Sequence, residues 1–223
     1  MSQLKPSIDF PNPRHTLAEG IIVVGGELSV ANLYAAYRKG IFPWPQEGYP
    51  MLWFSPEERG VIDFNEFHIP RSLEKFLKKN PQIEFSLNHE FLDVIRACQK
   101  QTRPGQAGTW INEQIVNAYN NFHKAGYAHS LEVWDGDELV GGIYGVLVEG
   151  VFSAESMFYK KPNASKLALW ALVDHLKDQG HQWMDVQMIT PVVEAMGGKY
   201  ISRENFLERL NKRHAELGLP GSL

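Results

Sequence analysis

Apolar positions along the chain fall into two textures. Up to about residue 65 they crowd among prolines and glycines, and beyond it they recur at helix or strand spacing. One short helix stands out early: Ser29 as N-cap, then Leu33, Tyr34 and Tyr37, with a stop at Gly40. The rest of residues 1–65, with "FPNP", "GIFPWP" and "WFSPEERG", reads as shaped irregular surface. Proline fixes the backbone there and the rings supply contact area. Segments 70–80, 89–100 after Asn88 and 113–125 after Asn112 read as helices.

After Gly126 the period drops to two. "AHSLEVW" and "DELVGGIYGVLV", joined at Asp135-Gly136, predict a hairpin, and Glu149-Gly150 predicts a second turn into "VFSAES". A helix from Asn163 to Lys177 follows and ends by Gly180. Next come the strand "HQWMDVQM", a short helix near 191–196 and a last helix capped by Ser202. The pattern predicts an α+β chain: an N-terminal domain over 1–65, then a helical link and a C-terminal domain over 66–223 built on an antiparallel meander.

Composition narrows the function. The 223 residues are 43% hydrophobic and 22% charged, as in an ordinary water-soluble protein. No apolar run approaches the ~20 residues that span a bilayer, and "MSQLKPSIDFPNPRH" lacks the apolar core of a signal peptide. Cys98 is the only cysteine, so no internal disulfide forms. A cytoplasmic protein without a membrane partner is expected. The net charge of −4 points to nucleic acid only if a local basic patch exists. Histidines lack metal-ligand spacing, and neither a phosphate loop nor a G-x-S-x-G elbow is present, so no metal and no cofactor is expected.

Three groupings of residues could carry chemistry. Glu155 stands among small and apolar residues of "VFSAESMF", where removing a carboxylate from water is costly. In "WMDVQM", strand alternation places Asp185 and Gln187 on one face and Val186 on the other. Strand-end polarity or helix capping would explain these residues equally well. Trp44, Trp53, Phe54 and Trp110 sit on Pro/Gly-rich segments suited to stacking on a base, although core packing is the ordinary use of such rings. Arg71, Lys75, Lys78 and Lys79 share one helical face, interrupted by Glu74. That face is either simply solvated or a phosphate contact.

Along nearly its whole length the chain resembles the bacterial leucyl/phenylalanyl-tRNA–protein transferases. The resemblance lies in "GIFPWP", "LWFSPEERGVI", "GTWINEQIVNAYNNFHKAGYAHSLEVW", "LVGGIYGV", "AESMFYKKPNASKLAL" and "DVQ". It implies a family-specific N-terminal domain before a C-terminal domain of the N-acetyltransferase-like fold. It also implies transfer of Leu or Phe from aminoacyl-tRNA to proteins with N-terminal Arg or Lys, marking them for degradation. The implied catalytic positions are Glu155, Asp185 and Gln187, with Trp53 and Trp110 at the aminoacyl-tRNA 3′ end. Ile143, Met157 and Leu169 are the implied side-chain pocket, and Arg71, Lys75, Lys78 and Lys79 the implied tRNA phosphate contacts. Where the family commonly carries H-x-x-S-L-G after the glutamine, this chain reads "VVEAMG", and no role passes to the missing residues.

Rival readings remain. A coenzyme-A-dependent N-acetyltransferase would need a [QR]-x-x-G-x-[GA] loop, and no Arg or Gln here has Gly three residues later. An aminoacyltransferase acting on cell-wall precursors would differ in its acceptor. A non-catalytic RNA-binding adaptor would account for the basic face and the tryptophans but not for Glu155, Asp185 and Gln187.

Overall fold

The computed structural model describes residues 4–17, 19–102 and 109–219. In the N-terminal part, β1 (Ile21–Val24), β2 (Phe42–Pro43) and β3 (Leu52–Phe54) form a small sheet in the order β1-β3-β2. Between β1 and β2 runs α1 (Val30–Arg38), where the Ser29 side chain accepts from the Asn32 N–H as the sequence predicts. The "irregular" surface is thus partly strand. Its strands are only two to four residues long, too short for alternation to show.

β4 (Glu58–Asp63) precedes residue 66 yet lies inside the main sheet. α2 (Arg71–Lys79), β5 (Ile83–Leu87), α3 (Phe91–Lys100) and α4 (Glu113–Lys124) follow. Then come β6 (Ala128–Asp135), β7 (Glu138–Val148) and β8 (Val151–Tyr159). The chain closes with α5 (Ala164–Asp178), β9 (Trp183–Gln187), α6 (Pro191–Ala195), β10 (Gly198–Ser202) and α7 (Arg203–Glu216). The seven-stranded sheet has the order β10-β4-β9-β8-β7-β6-β5.

β6 through β8 form the expected antiparallel meander, and β5, a strand the sequence pattern does not predict, pairs antiparallel with β6 and extends it. Glu149 and Gly150, at φ 46° and 77°, make the tight turn between β7 and β8, where both central residues need positive φ. The preceding hairpin turns on Gly136 and Asp137, since Asp135 still pairs with Glu138. The meander ends at β8. Helix α5 crosses over from there, and β9 pairs parallel to β8 at one position only, Ser153 with Asp185. One apolar core lies under α1, α3 and α4, and a second lies between α5 and the sheet.

Candidate active site

The single parallel pair fixes the site. Two residues on from Ser153 and Asp185 stand Glu155 and Gln187, and over that span each strand departs from regular pairing. On β8 the partners of Tyr144 and Gly145 are Ser156 and Ala154, which leaves Glu155 as the extra residue of a bulge. On β9 the partners of Gly60 and Val61 are Gln187 and Asp185, which leaves Val186 unpaired. Bulges re-aim side chains and part neighbouring strands, and here two of them open a cleft between β8 and β9.

At Gln187 the backbone goes further. Its φ is 53°, and the Met188 N–H donates to the Val186 carbonyl at 2.5 Å, a γ-turn of the rarer, strained hand. Gly60 permits it, because a Cβ there would lie 3.0 Å from the Met188 carbonyl carbon. The turn overturns the strand alternation expected from "WMDVQM". Val186 and Gln187 both line the cleft, whereas Asp185 is fully buried beneath it.

Asp185 is held by four donors. Arg59 gives it two parallel bonds, Nε to Oδ1 at 2.8 Å and Nη2 to Oδ2 at 2.6 Å, and Ser153 Oγ donates at 2.9 Å. The fourth is the backbone N–H of Gln187, 2.9 Å from Oδ1. Arg59 is itself buried, lies between the rings of Phe42 and Phe206 at 4.6 and 4.5 Å, and donates to the Gly40 carbonyl. Asp185 therefore acts on the cleft through Gln187, whose strained turn it anchors.

Glu155 lies half-buried on the cleft wall. Its Oε1 accepts from Tyr37 at 2.7 Å and from Gln187 Nε2 at 2.9 Å, and the Tyr119 hydroxyl lies 3.4 Å from its Oε2. With the Tyr37 proton given to Glu155, the shorter contact between the two hydroxyls has Tyr119 donating to the Tyr37 oxygen. Burial pushes the Glu155 carboxyl up to about 7; the Tyr37 hydroxyl pulls it down, nearby Asp185 adds to the rise, and Arg59 opposes it. With Nε2 given to Glu155, the Gln187 amide keeps Oε1 as its acceptor.

The cavity holds about 570 Å³. Ile143, paired across the strands with Met157, lines its apolar end together with Leu169 from α5. Val193 from "VVEAMG" lines it too, so the segment that departs from the family form supplies an apolar wall. Trp44 and Trp110 stand at its margin, both partly exposed. Trp53 does not. It is fully buried, edge-on to Phe10, with its Nε1 donating to the Gly25 carbonyl, so the ring expected at the 3′ end is core and Trp44 occupies the open position. Arg71, Lys75, Lys78 and Lys79 are all exposed on α2, outside this cavity. Arg59, Tyr37, Tyr119 and Ser153 were not singled out by the sequence. An arginine inside the apolar-flanked strand "ERGVID" was the one available signal.

Among the described residues no group of three His, Cys, Asp or Glu side chains is placed to hold a metal ion, and no helix is long and apolar enough to cross a membrane. Residues 61–211 match the leucyl/phenylalanyl-tRNA protein transferase family, and residues 26–57 match that family's N-terminal domain. A transferase of this name from Pseudoalteromonas translucida is 46% identical over 86% of this chain and 80% of its own. One from Oleidesulfovibrio alaskensis is 44% identical over 94% and 86%. Among solved structures, the aminoglycoside N-acetyltransferase AAC(6')-Iy aligns over 62% of this chain and 88% of its own, at 16% identity and a TM-score of 0.34. Matched by both family models and by full-length relatives, the chain belongs to the leucyl/phenylalanyl-tRNA protein transferases, enzymes of tRNA-dependent aminoacyl transfer to proteins.

Proposed function

We propose that the chain transfers Leu or Phe from aminoacyl-tRNA to the N-terminal α-amine of proteins beginning with Arg or Lys, which marks them for degradation in the cytoplasm. The observation that carries this reading is the joining of Glu155 and Gln187 at the edge of an apolar cavity. A half-buried carboxylate suits a cationic acceptor, because a partner charge that arrives with the substrate offsets its desolvation. The apolar end at Ile143, Met157 and Leu169 suits the side chain being transferred. Trp44 and Trp110, partly exposed at the cavity margin, stack on the terminal adenosine in this reading.

The reaction is aminolysis of an ester. The neutral α-amine attacks the carbonyl carbon, the new C–N bond forms, and the ester C–O bond breaks. The amine's proton ends on the ribose hydroxyl that leaves. An ester is already activated, so holding amine and carbonyl together supplies much of the acceleration. Gln187 Oε1 accepts from the amine and orients it; an amide is too weakly basic to remove the proton outright. Incubation with radiolabelled Leu-tRNA and peptides differing only in residue one tests the reading. Label enters Arg- and Lys-peptides, and equal labelling of Asp- and Ala-peptides would overturn it.

A further inference from the structure

On the far side of Trp44 lies a second cavity, of about 780 Å³. Trp44, Gln46 and Met188 line both cavities, so the two adjoin along one wall. The second is walled by rings: Phe42, Phe54, Tyr49 and Tyr200. Exposure is high for buriable groups, at 71% for Tyr49, 47% for Tyr200 and 44% for Met188. Among the described residues its ionisable lining apart from tyrosine is Glu19, Glu57 and Glu58, all exposed, without a lysine or arginine. Gly60 pairs with Tyr200 and Glu58 with Ser202, so Glu58 and Tyr200 sit diagonally on one face of the sheet.

We propose that this groove receives the residues of the acceptor polypeptide that follow its N-terminal residue, favouring aromatic and cationic side chains and rejecting acidic ones. The proposal rests on the acceptor reading given above. Two macromolecules must meet at Glu155 and Gln187, one a polyanion and the other a polypeptide. Three carboxylates in a lining that holds no basic side chain among the described residues repel RNA phosphates, and Arg203 beside Glu57 is turned to the Ser55 carbonyl. The groove therefore suits the polypeptide, and its continuity with the site gives that chain a path outward. Tyr49 and Tyr200 offer ring faces to an arginine or lysine at the second or third residue, with the glutamates close by.

The test uses Leu-tRNA and blocked-end peptides that share an N-terminal Arg and differ at residues two and three, Lys-Tyr against Asp-Asp, with argininamide as an acceptor that has no following chain. The Lys-Tyr peptide should exceed the Asp-Asp peptide in kcat/KM by about ten-fold or more, chiefly through KM, as for charge selection at an interface. Glu57→Lys with Glu58→Lys should level or invert that order. Transfer to argininamide and the KM for Leu-tRNA should stay as in the wild type, which also shows the variant is folded. Equal kcat/KM for the two peptides in the wild type overturns the proposal. So does a variant that alters the KM for Leu-tRNA and leaves the peptide order intact, since the groove would then hold RNA. If argininamide and both peptides fail as acceptors while another amine is labelled, the acceptor reading itself falls and takes the groove with it.

Discussion

Arg59 and Asp185 face each other from adjacent strands as a two-pronged ion pair, and both side chains are almost wholly withdrawn from solvent. The same carboxylate oxygen that takes Arg59 Nε also takes the Gln187 N–H. Stability and site geometry thus share one atom.

Removing either member of the pair strands a buried charge. Arg59→Met and Asp185→Leu should each destabilise the fold by about 3–5 kcal/mol in denaturant unfolding. The double variant should cost clearly less than the sum, because two apolar side chains leave no unpaired charge. Transfer should nevertheless remain about ten-fold or more below wild type, corresponding to ~1.4 kcal/mol of lost transition-state stabilisation, since Gln187 has lost its anchor. A double variant with full activity would show that Asp185 serves the fold alone.

Glu155 should trade stability for function. Its folded pKa of about 7 lies above the ordinary carboxylate value, so the folded state binds the extra proton. Stability on this account is intact below the unfolded pKa, falls as pH rises toward 7, and stays lowered above it. Glu155→Gln should therefore raise Tm at pH 8 and have little effect near pH 4.5. Transfer, on the proposed acceptor reading, should run the other way, because the ionised carboxylate is the form that holds a cation. Wild-type kcat/KM should rise through pH 7, and the variant should lose that limb, keeping only the one due to the acceptor's own α-amine. An unchanged pH profile in the variant would remove Glu155 from the acceptor site.

Two tryptophans separate packing from binding. Trp53→Ala opens a cavity in the N-terminal core and should cost about 3–5 kcal/mol in unfolding experiments. Trp44→Ala removes a partly exposed ring and should leave stability near wild type. If it stacks on the terminal adenosine, the KM for aminoacyl-tRNA should rise by about five-fold or more, given ~1–3 kcal/mol for a base–aromatic stack.

Helices α1, α4, α6 and α7 were legible because their caps are local chemistry, whereas α2, α3 and α5 carry no side-chain cap and were legible from apolar spacing alone. Ser29, Asn112, Thr190 and Ser202 each accept from a backbone N–H three residues on. Strands β6 to β8 were legible because they reach 8 to 11 residues, enough for alternation to show, whereas β5, at five residues, was not. β4 and β10 were not. Their pairing joins residues about 140 apart, and five or six residues give too little pattern. Glu155, Asp185 and Gln187 could be singled out as a group from their polarity. Their different depths could not, because a bulge and a γ-turn break the alternation that sequence reasoning applies.

The exposed face of α2 poses the last question: how a chain of net charge −4 holds tRNA. Leu73 is buried while Arg71, Lys75, Lys78 and Lys79 stay in solvent, so the helix offers four cations without strain on the core. If they bind phosphates, neutralising all four should weaken every aminoacyl-tRNA alike, because phosphate binding carries no sequence information. The plot of log affinity against log salt should flatten by ~0.7–0.9 for each phosphate left without its cation. Transfer from an aminoacyl-adenosine, which lacks the tRNA body, should be unchanged, since in the proposed reading the cavity and its two tryptophans hold that fragment. Unfolding curves should overlay the wild type, because exposed charges contribute little to stability. A quadruple variant that keeps both its tRNA affinity and its salt slope would assign this face to solvent and place the tRNA body on another surface.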